Sequence, residues 1–165
     1  MSKVLVLDHV AVMVTDVEAS CRFYRDLLGL DVEIKVSHGG WPVETMAQLP
    51  GGAIVEYRMR APQTPGITID LIEWVTPKSP VGRHAIHHVP SAHIAFGVDD
   101  LQAIYDHLVT QGVEFVTPPV VWPPDEGGWR VLFLYDPDGN LLEFIEVGSG
   151  RNLPHVEKGT ESSVS

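Results

Sequence analysis

Cysteine is all but missing from this chain of 165 residues, where Cys21 stands alone. A single thiol rules out an intramolecular disulfide and any zinc site built on cysteine. Positive charge is scarce as well: 11 Lys and Arg face 22 Asp and Glu, for a formal net charge of −11. Such a field repels phosphate backbones and anionic lipid, so neither nucleic acid nor a membrane is an expected partner. Long apolar runs are lacking too. The longest near the start, Val4 to Leu7, is ended by Asp8, so no secretory h-region or membrane span is expected and the chain is assigned to the cytoplasm.

What is present suffices for one folded body. Hydrophobic residues make up 44% of the chain, and a chain of this length buries roughly 70% of its unfolded surface. It is too short for a barrel enzyme or a two-domain dehydrogenase. With cysteine excluded, a metal ion must be held by carboxylates and by the eight histidines.

Residues 4–14 alternate with period two and predict a strand. Asp16 then stands as N-cap of a helix through Leu27, closed by Gly29, with Val17, Cys21, Tyr24, Leu27 and Leu28 on its buried face. Strands are predicted over 30–36, 54–59 and 67–75, separated by glycine and proline clusters. After a proline- and histidine-bearing connection over 76–90 the order returns: a strand over 92–98, a helix over 100–111 closed by Gly112, and strands over 113–117, 130–135 and 141–147. Asp136-Pro137-Asp138-Gly139-Asn140 is a turn signal before the last of these. Residues 149–165 are polar, lack periodicity and are expected to form a flexible tail.

Internal repetition is the most informative feature. His9-Val-Ala-Val-Met-Val-Thr-Asp16-Val17 lies over His93-Ile-Ala-Phe-Gly-Val-Asp-Asp100-Leu101, and Ile69-Asp70-Leu71-Ile72-Glu73 lies over Leu142-Glu143-Phe144-Ile145-Glu146. The expected fold is therefore α+β: two tandem βαβββ modules, 1–80 and 81–148, forming a curved, partly open sheet around a central metal-binding cleft.

In both copies a histidine stands in the first strand and a carboxylate in the last. Modules related by a pseudo-twofold axis would bring His9, Asp70, His93 and Glu143 toward one point. Two imidazoles and two carboxylates suit one divalent ion such as Zn, Ni, Co, Mn or Fe(II), with positions left open for water or substrate. A strand histidine is in general more often a satisfied, partly buried side chain than a ligand. Recurrence at equivalent positions, and the cost of burying four unpaired ionisable groups among apolar neighbours, argue for the metal. Asp70 and Glu73 are three apart and cannot share a strand face. The repeat favours Asp70 with Glu143, leaving Glu73 and Glu146 for the opposite side, as polar groups at a solvated face or helix contact.

These residues resemble the vicinal oxygen chelate superfamily, which includes glyoxalase I, methylmalonyl-CoA epimerase, extradiol dioxygenases and the fosfomycin and bleomycin resistance proteins. The resemblance spans about 5–147 and rests on Leu7-Asp8-His9-Val10-Ala11, Phe23-Tyr24-Arg25-Asp26-Leu27-Leu28-Gly29-Leu30, Ile69-Asp70-Leu71-Ile72-Glu73-Trp74, His93-Ile94-Ala95-Phe96 and Asp136-Pro137-Asp138-Gly139-Asn140-Leu141-Leu142-Glu143. It implies that His9, His93 and Glu143 are metal ligands. Asp70 falls where glyoxalase-like members carry Glu and epimerase-like members Gln or Glu, so the shorter side chain departs from the pattern. It also implies coordination of a substrate oxygen by a Lewis-acidic metal, with Glu143 or Asp70 as the catalytic base that moves the proton.

The leading expectation is a lyase or isomerase of glyoxalase or epimerase type, acting on a small oxygen-chelating substrate through an enediolate. The alternatives are an Fe(II) or Mn dioxygenase of extradiol type using His9, His93 and Glu143, or a non-enzymatic resistance protein that binds a drug or metabolite. Basic residues are few for an anionic carrier such as CoA or glutathione, with Arg22, Arg25, Arg58 and Arg60 the arginines available in the first half. His84, His87 and His88 sit in the connection between modules, where they read as a loop bordering the cavity or as a second metal site. The loops 38–42 and 122–130 carry tryptophan beside glycine and suit lids over a small apolar substrate or plain surface turns. An incomplete sheet in each module predicts a homodimer.

Overall fold

Val10, Val12 and Val14 turn to one side of the first strand, β1 (His9–Val14), and Val12 and Val14 are buried there. His9, Ala11 and Met13 turn to the other side, since successive side chains of a strand alternate. This computed structural model describes residues 3–89, 91–122 and 128–148. The expected tail, 149–165, and the loop segment 123–127 lie outside the described residues.

β1 leads into helix α1 (Val17–Arg22), and Asp16 is its N-cap: the extended Asp16 accepts a hydrogen bond from the amide of Ala19. The helix continues as one π-helical turn, Phe23–Leu27, in which the amide of Leu28 reaches the carbonyl of Phe23. The wider turn inserts an extra residue and re-phases the buried face, so Phe23 and Tyr24 are both buried while Leu27 and Leu28 are half-exposed. Gly29, at φ +74°, closes it. Strand β2 (Asp31–Gly39), helix α2 (Trp41–Ala47) and strands β3 (Ala53–Arg60) and β4 (Thr68–Thr76) follow. The sheet order is β1-β4-β3-β2, with β1 parallel to β4 and the other pairs antiparallel.

The second half repeats this: β5 (His93–Val98), α3 (Leu101–Thr110), β6 (Val120–Trp122), β7 (Trp129–Tyr135) and β8 (Leu141–Glu146), in the order β5-β8-β7-β6, with β5 parallel to β8. Asp100 caps α3 through the amide of Ala103, as Asp16 caps α1. Each half is thus a four-stranded mixed sheet with a helix between its first two strands in sequence, an α+β arrangement.

The chain falls into two compact units. Unit 1 is Met1–Arg83 with Pro137–Asn140, and unit 2 is His84–Asp136 with Leu141–Ser165. In unit 1, Val17, Cys21 and Tyr24 of the helical segment are buried with Val12, Val14, Tyr57, Met59, Ile69 and Leu71 of the sheet. In unit 2 the core is Leu101 and Leu108 of α3 with Leu132, Leu134, Leu142 and Phe144. The turn 137–140 has a second role: Asp138 accepts from the hydroxyls of Thr15 at 2.5 Å and Ser20 at 3.2 Å, and the Asn140 amide donates to the carbonyl of Met13.

Besides Leu27 and Leu28, expected on the buried face, three expectations differ from the structure. Residues 4–8 form no ladder, and Val4 to Leu7 are exposed. Segment 113–117 makes a single bridge, Phe115 to Leu134, and the strand comes later, at β6. The segment after Gly40 is a helix rather than a loop; Pro42 fits its first turn, and Gln48 in the left-handed region ends it. No helix among the described residues is long and apolar enough to cross a membrane.

Candidate metal centre

Unit 1 offers His9 and Asp70. In the parallel ladder His9 pairs with Thr68 and Ala11 with Asp70, so both groups stand on the face of the sheet opposite α1. Asp70 is buried, and its partner across the antiparallel ladder is Arg58. The guanidinium grips the carboxylate with both arms, Nε to Oδ1 at 3.0 Å and Nη2 to Oδ2 at 2.7 Å, and the Thr68 hydroxyl adds a bond to Oδ1 at 3.1 Å. Burial pushes the Asp70 carboxyl up, but Arg58 and Thr68 outweigh it and hold the group below the ordinary value. His9 is exposed, with its Nδ1 2.9 Å from Asp8.

Unit 2 carries the equivalent residues in the same register: His93 pairs with Leu141 and Ala95 with Glu143. Across the antiparallel ladder the partner of Glu143 is Phe133, not an arginine. His93 Nε2 lies 3.1 Å from Glu143 Oε2, and its ring meets Phe133 edge to face at 5.4 Å. The Glu143 side chain is 14% exposed and the Asp70 side chain 3%. Among the described residues His93 is the one chargeable group that pairs with Glu143. Burial raises the Glu143 carboxyl above its ordinary value, and His93 only partly offsets it.

The other two carboxylates point to the helix side and do one job in both units. Glu73 accepts from the amide of Val17 at 3.0 Å and pairs with Lys78; Glu146 accepts from the amide of Leu101 at 2.9 Å and pairs with Arg130. Each anchors the first turn of a helix, where free amides favour negative charge. Hydrogen bonds from Lys78 and from the Val17 amide hold Glu73 below the ordinary carboxylate value.

As a test of fit, nitrogen and oxygen ligands about 2.0–2.2 Å from one tetrahedral zinc ion lie about 3.3–3.6 Å from each other. His93 Nε2 and Glu143 Oε2, 3.1 Å apart, lie just under that spacing and are hydrogen-bonded to each other, so a cation would have to replace the proton between them. Asp70 does not fit without releasing Arg58, because both its oxygens are engaged. Among the described residues no three His, Cys, Asp or Glu side chains are grouped as a metal site. His87 and His88 stack edge to face at 4.6 Å in the connection, where all three histidines are exposed.

Two residues of this arrangement escape a reading of the sequence alone. Arg58 is visible there only as one of the spare basic residues, and Phe133 not at all. The signal for Arg58 was present: Glu56, Arg58 and Arg60 alternate with Val55, Tyr57 and Met59, which puts one polar stripe along an otherwise apolar strand.

Comparison with known proteins matches these features to one family. The model of the Glyoxalase/Bleomycin resistance protein/Dioxygenase superfamily matches residues 6–144. A Haemophilus influenzae protein named lactoylglutathione lyase is 30% identical over 142 residues, covering 84% of this chain and 90% of the relative. The uncharacterized protein YwbC of Bacillus subtilis is 26% identical over 140 residues, covering 85% and 96%. A crystal structure of a glyoxalase family protein from Bacillus cereus superposes with a TM-score of 0.79 at 20% identity, covering 88% of this chain and 95% of that one. The two four-stranded sheets, the repeated histidine and carboxylate and the match over 6–144 agree: the chain belongs to the Glyoxalase/Bleomycin resistance protein/Dioxygenase superfamily.

Proposed function

We propose that this chain is a metal-dependent lyase or isomerase that moves a proton next to the carbonyl of a small oxygen-chelating substrate. The observation that carries the reading is the His93–Glu143 pair, a half-buried carboxylate whose neighbour is a histidine rather than a fixed cation. Relatives named lactoylglutathione lyase support the reaction class. His93 Nε2 and Glu143 Oε2 are the atoms proposed to hold one divalent ion, of the group Zn, Ni, Co, Mn and Fe(II). When bound, such an ion supplies Lewis acidity toward negative charge developing on a substrate oxygen.

Glu143 is the proposed base. Its partly buried carboxylate takes the proton from the carbon beside the carbonyl onto an Oε atom and returns it to the neighbouring carbon. Phe133 and the buried Leu141, Val131 and Ile145 of the same sheet keep bulk water from that carboxylate. Asp70 stays with Arg58.

Protein purified without added metal tests the reading: about one equivalent of a divalent ion per chain is expected, and His93→Ala should lose it. The repeat makes His9→Ala the companion variant. Full retention in both refutes the metal centre. We also infer a homodimer, supported by the open edge strands and the exposed Val4 to Leu7; light scattering that returns the mass of one chain, 18.1 kDa, overturns it.

A further inference from the structure

β7 and β8 are the two central strands of the unit 2 sheet, yet the turn that joins them, 137–140, belongs with unit 1. Its hold there is polar. The Asp138 carboxylate accepts from two hydroxyls of unit 1, from Thr15 just past β1 on Oδ1 and from Ser20 in α1 on Oδ2. The Asn140 side-chain amide donates to the carbonyl of Met13 in β1. Ser20 is fully buried. Gly139 makes the turn at φ +85°, and a Cβ there would stand 3.1 Å from the Arg83 side chain. We propose that this turn is a clasp: Asp138, held by Thr15 and Ser20, couples the opening of the β7–β8 hairpin to that of the β1–α1 corner, so that the two units unfold as one.

The repeat supplies the contrast. The matching connection between β3 and β4, residues 61–67, stays within its own unit, and its sequence, Ala61-Pro62-Gln63-Thr64-Pro65-Gly66-Ile67, offers no carboxylate. The receiving side has changed as well. In the alignment that sets His9 over His93, the places of Thr15 and Ser20 are taken by Asp99 and Ile104. Asp99 turns to the amide of Asp100, and isoleucine has no hydroxyl to donate. Both halves of the contact thus differ between the copies, so the duplicated scaffold does not produce the clasp by itself. Its bonds are of the stronger kind, because the acceptor is ionised. Withdrawing Asp138 takes that acceptor from a buried hydroxyl, which is costly. The turn is continuous with β7 and β8, so displacement of that hairpin pulls on Asp138, and melting of α1 sets Asp138 loose.

Urea unfolding of the whole chain tests the clasp, with hydrogen exchange followed by mass spectrometry on peptides from each unit. In the wild type, β4 and β8 should lose protection at one shared urea concentration. In Asp138→Ala they should lose it at two. Each transition should then carry about half the wild-type m-value, because m follows the surface exposed on unfolding. Asp16→Ala is the control, since it removes the cap of the same helix and leaves the clasp in place. Its midpoint should fall while the transition stays single and m stays unchanged. If Asp138→Ala does not fold, Thr15→Val combined with Ser20→Ala removes both donors from the other side of the contact and should split the transition in the same way. A folded Asp138→Ala, or the paired variant in its place, that unfolds in one transition with the wild-type m-value overturns the inference. A wild type whose units already lose protection separately does so too, as does a split in Asp16→Ala, which would show that any weakening of this corner suffices.

Discussion

Units 1 and 2 solve the same folding problem with nearly the same residues and then use one position differently. Both start a strand with histidine, both cap the following helix with Asp seven residues on, and both send a strand glutamate to the first helical amide. The carboxylate on the opposite face is neutralised in unit 1, where Arg58 grips Asp70, and left beside a histidine and an aromatic ring in unit 2. A duplicated scaffold thus fixes where a carboxylate stands, while the residue across the ladder differs: Arg58 neutralises the one in unit 1, and Phe133 faces the one in unit 2. The cost falls on unit 2, since a partly buried carboxylate without a strong cation weakens the unliganded fold.

The comparison is broken most forcefully at Arg58. Arg58→Leu strands a buried carboxylate and should cost about 3 kcal/mol, read from urea unfolding. Arg58→Leu with Asp70→Leu should recover most of that loss, because two apolar residues replace the pair. Phe133→Leu, the matching change in unit 2, should cost about 1 kcal/mol. Equal costs at the two positions would show that Arg58 acts by packing alone.

Acid sharpens the same contrast. The Asp70 carboxyl lies below its ordinary value when folded, so its contribution is complete above the unfolded value of about 3.9 and is lost as pH falls through the lower folded value. Unfolding followed between neutral and strongly acidic pH should show a falling limb in the wild type that Asp70→Asn flattens. An unchanged limb contradicts the pairing.

Smaller effects test what the units share. Asp16→Ala and Asp100→Ala should each lower stability by about 1 kcal/mol, because each removes a helix cap. Glu73→Gln and Glu146→Gln should each cost about 0.5 kcal/mol at low salt, by weakening a charge at a helix start. Thermal melts that give clearly unequal losses within either pair would undo the claim that the two scaffolds are equivalent.

Much of the fold was legible because the repeat is written in local signals: alternating valines, capping aspartates and the glycines that end the helices. The π-turn was not, since one extra residue in a helical turn leaves the three-to-four spacing almost unchanged over so short a stretch. Helix α2 was hidden because Gly39, Gly40 and Pro42 read as a turn, although proline is welcome in a first helical turn. At the site, the histidines and carboxylates could be found from the strand period. The Arg58–Asp70 pair could not. It depends on how β3 and β4 align across the connection 61–67, which includes Pro62, Pro65 and Gly66, and no local pattern sets that register.

The most direct measurement is the thermal transition of Asp70→Asn and Glu143→Gln, each with and without Co(II). Stripped of metal at neutral pH, Asp70→Asn should melt below the wild type, because Arg58 loses its charged partner, and Glu143→Gln above it, because a poorly compensated buried charge is gone. Added Co(II) should raise the transition of the wild type and of Asp70→Asn and leave Glu143→Gln unmoved. A Co(II)-dependent rise that vanishes in Asp70→Asn and persists in Glu143→Gln would assign the two carboxylates the opposite roles and contradict the account.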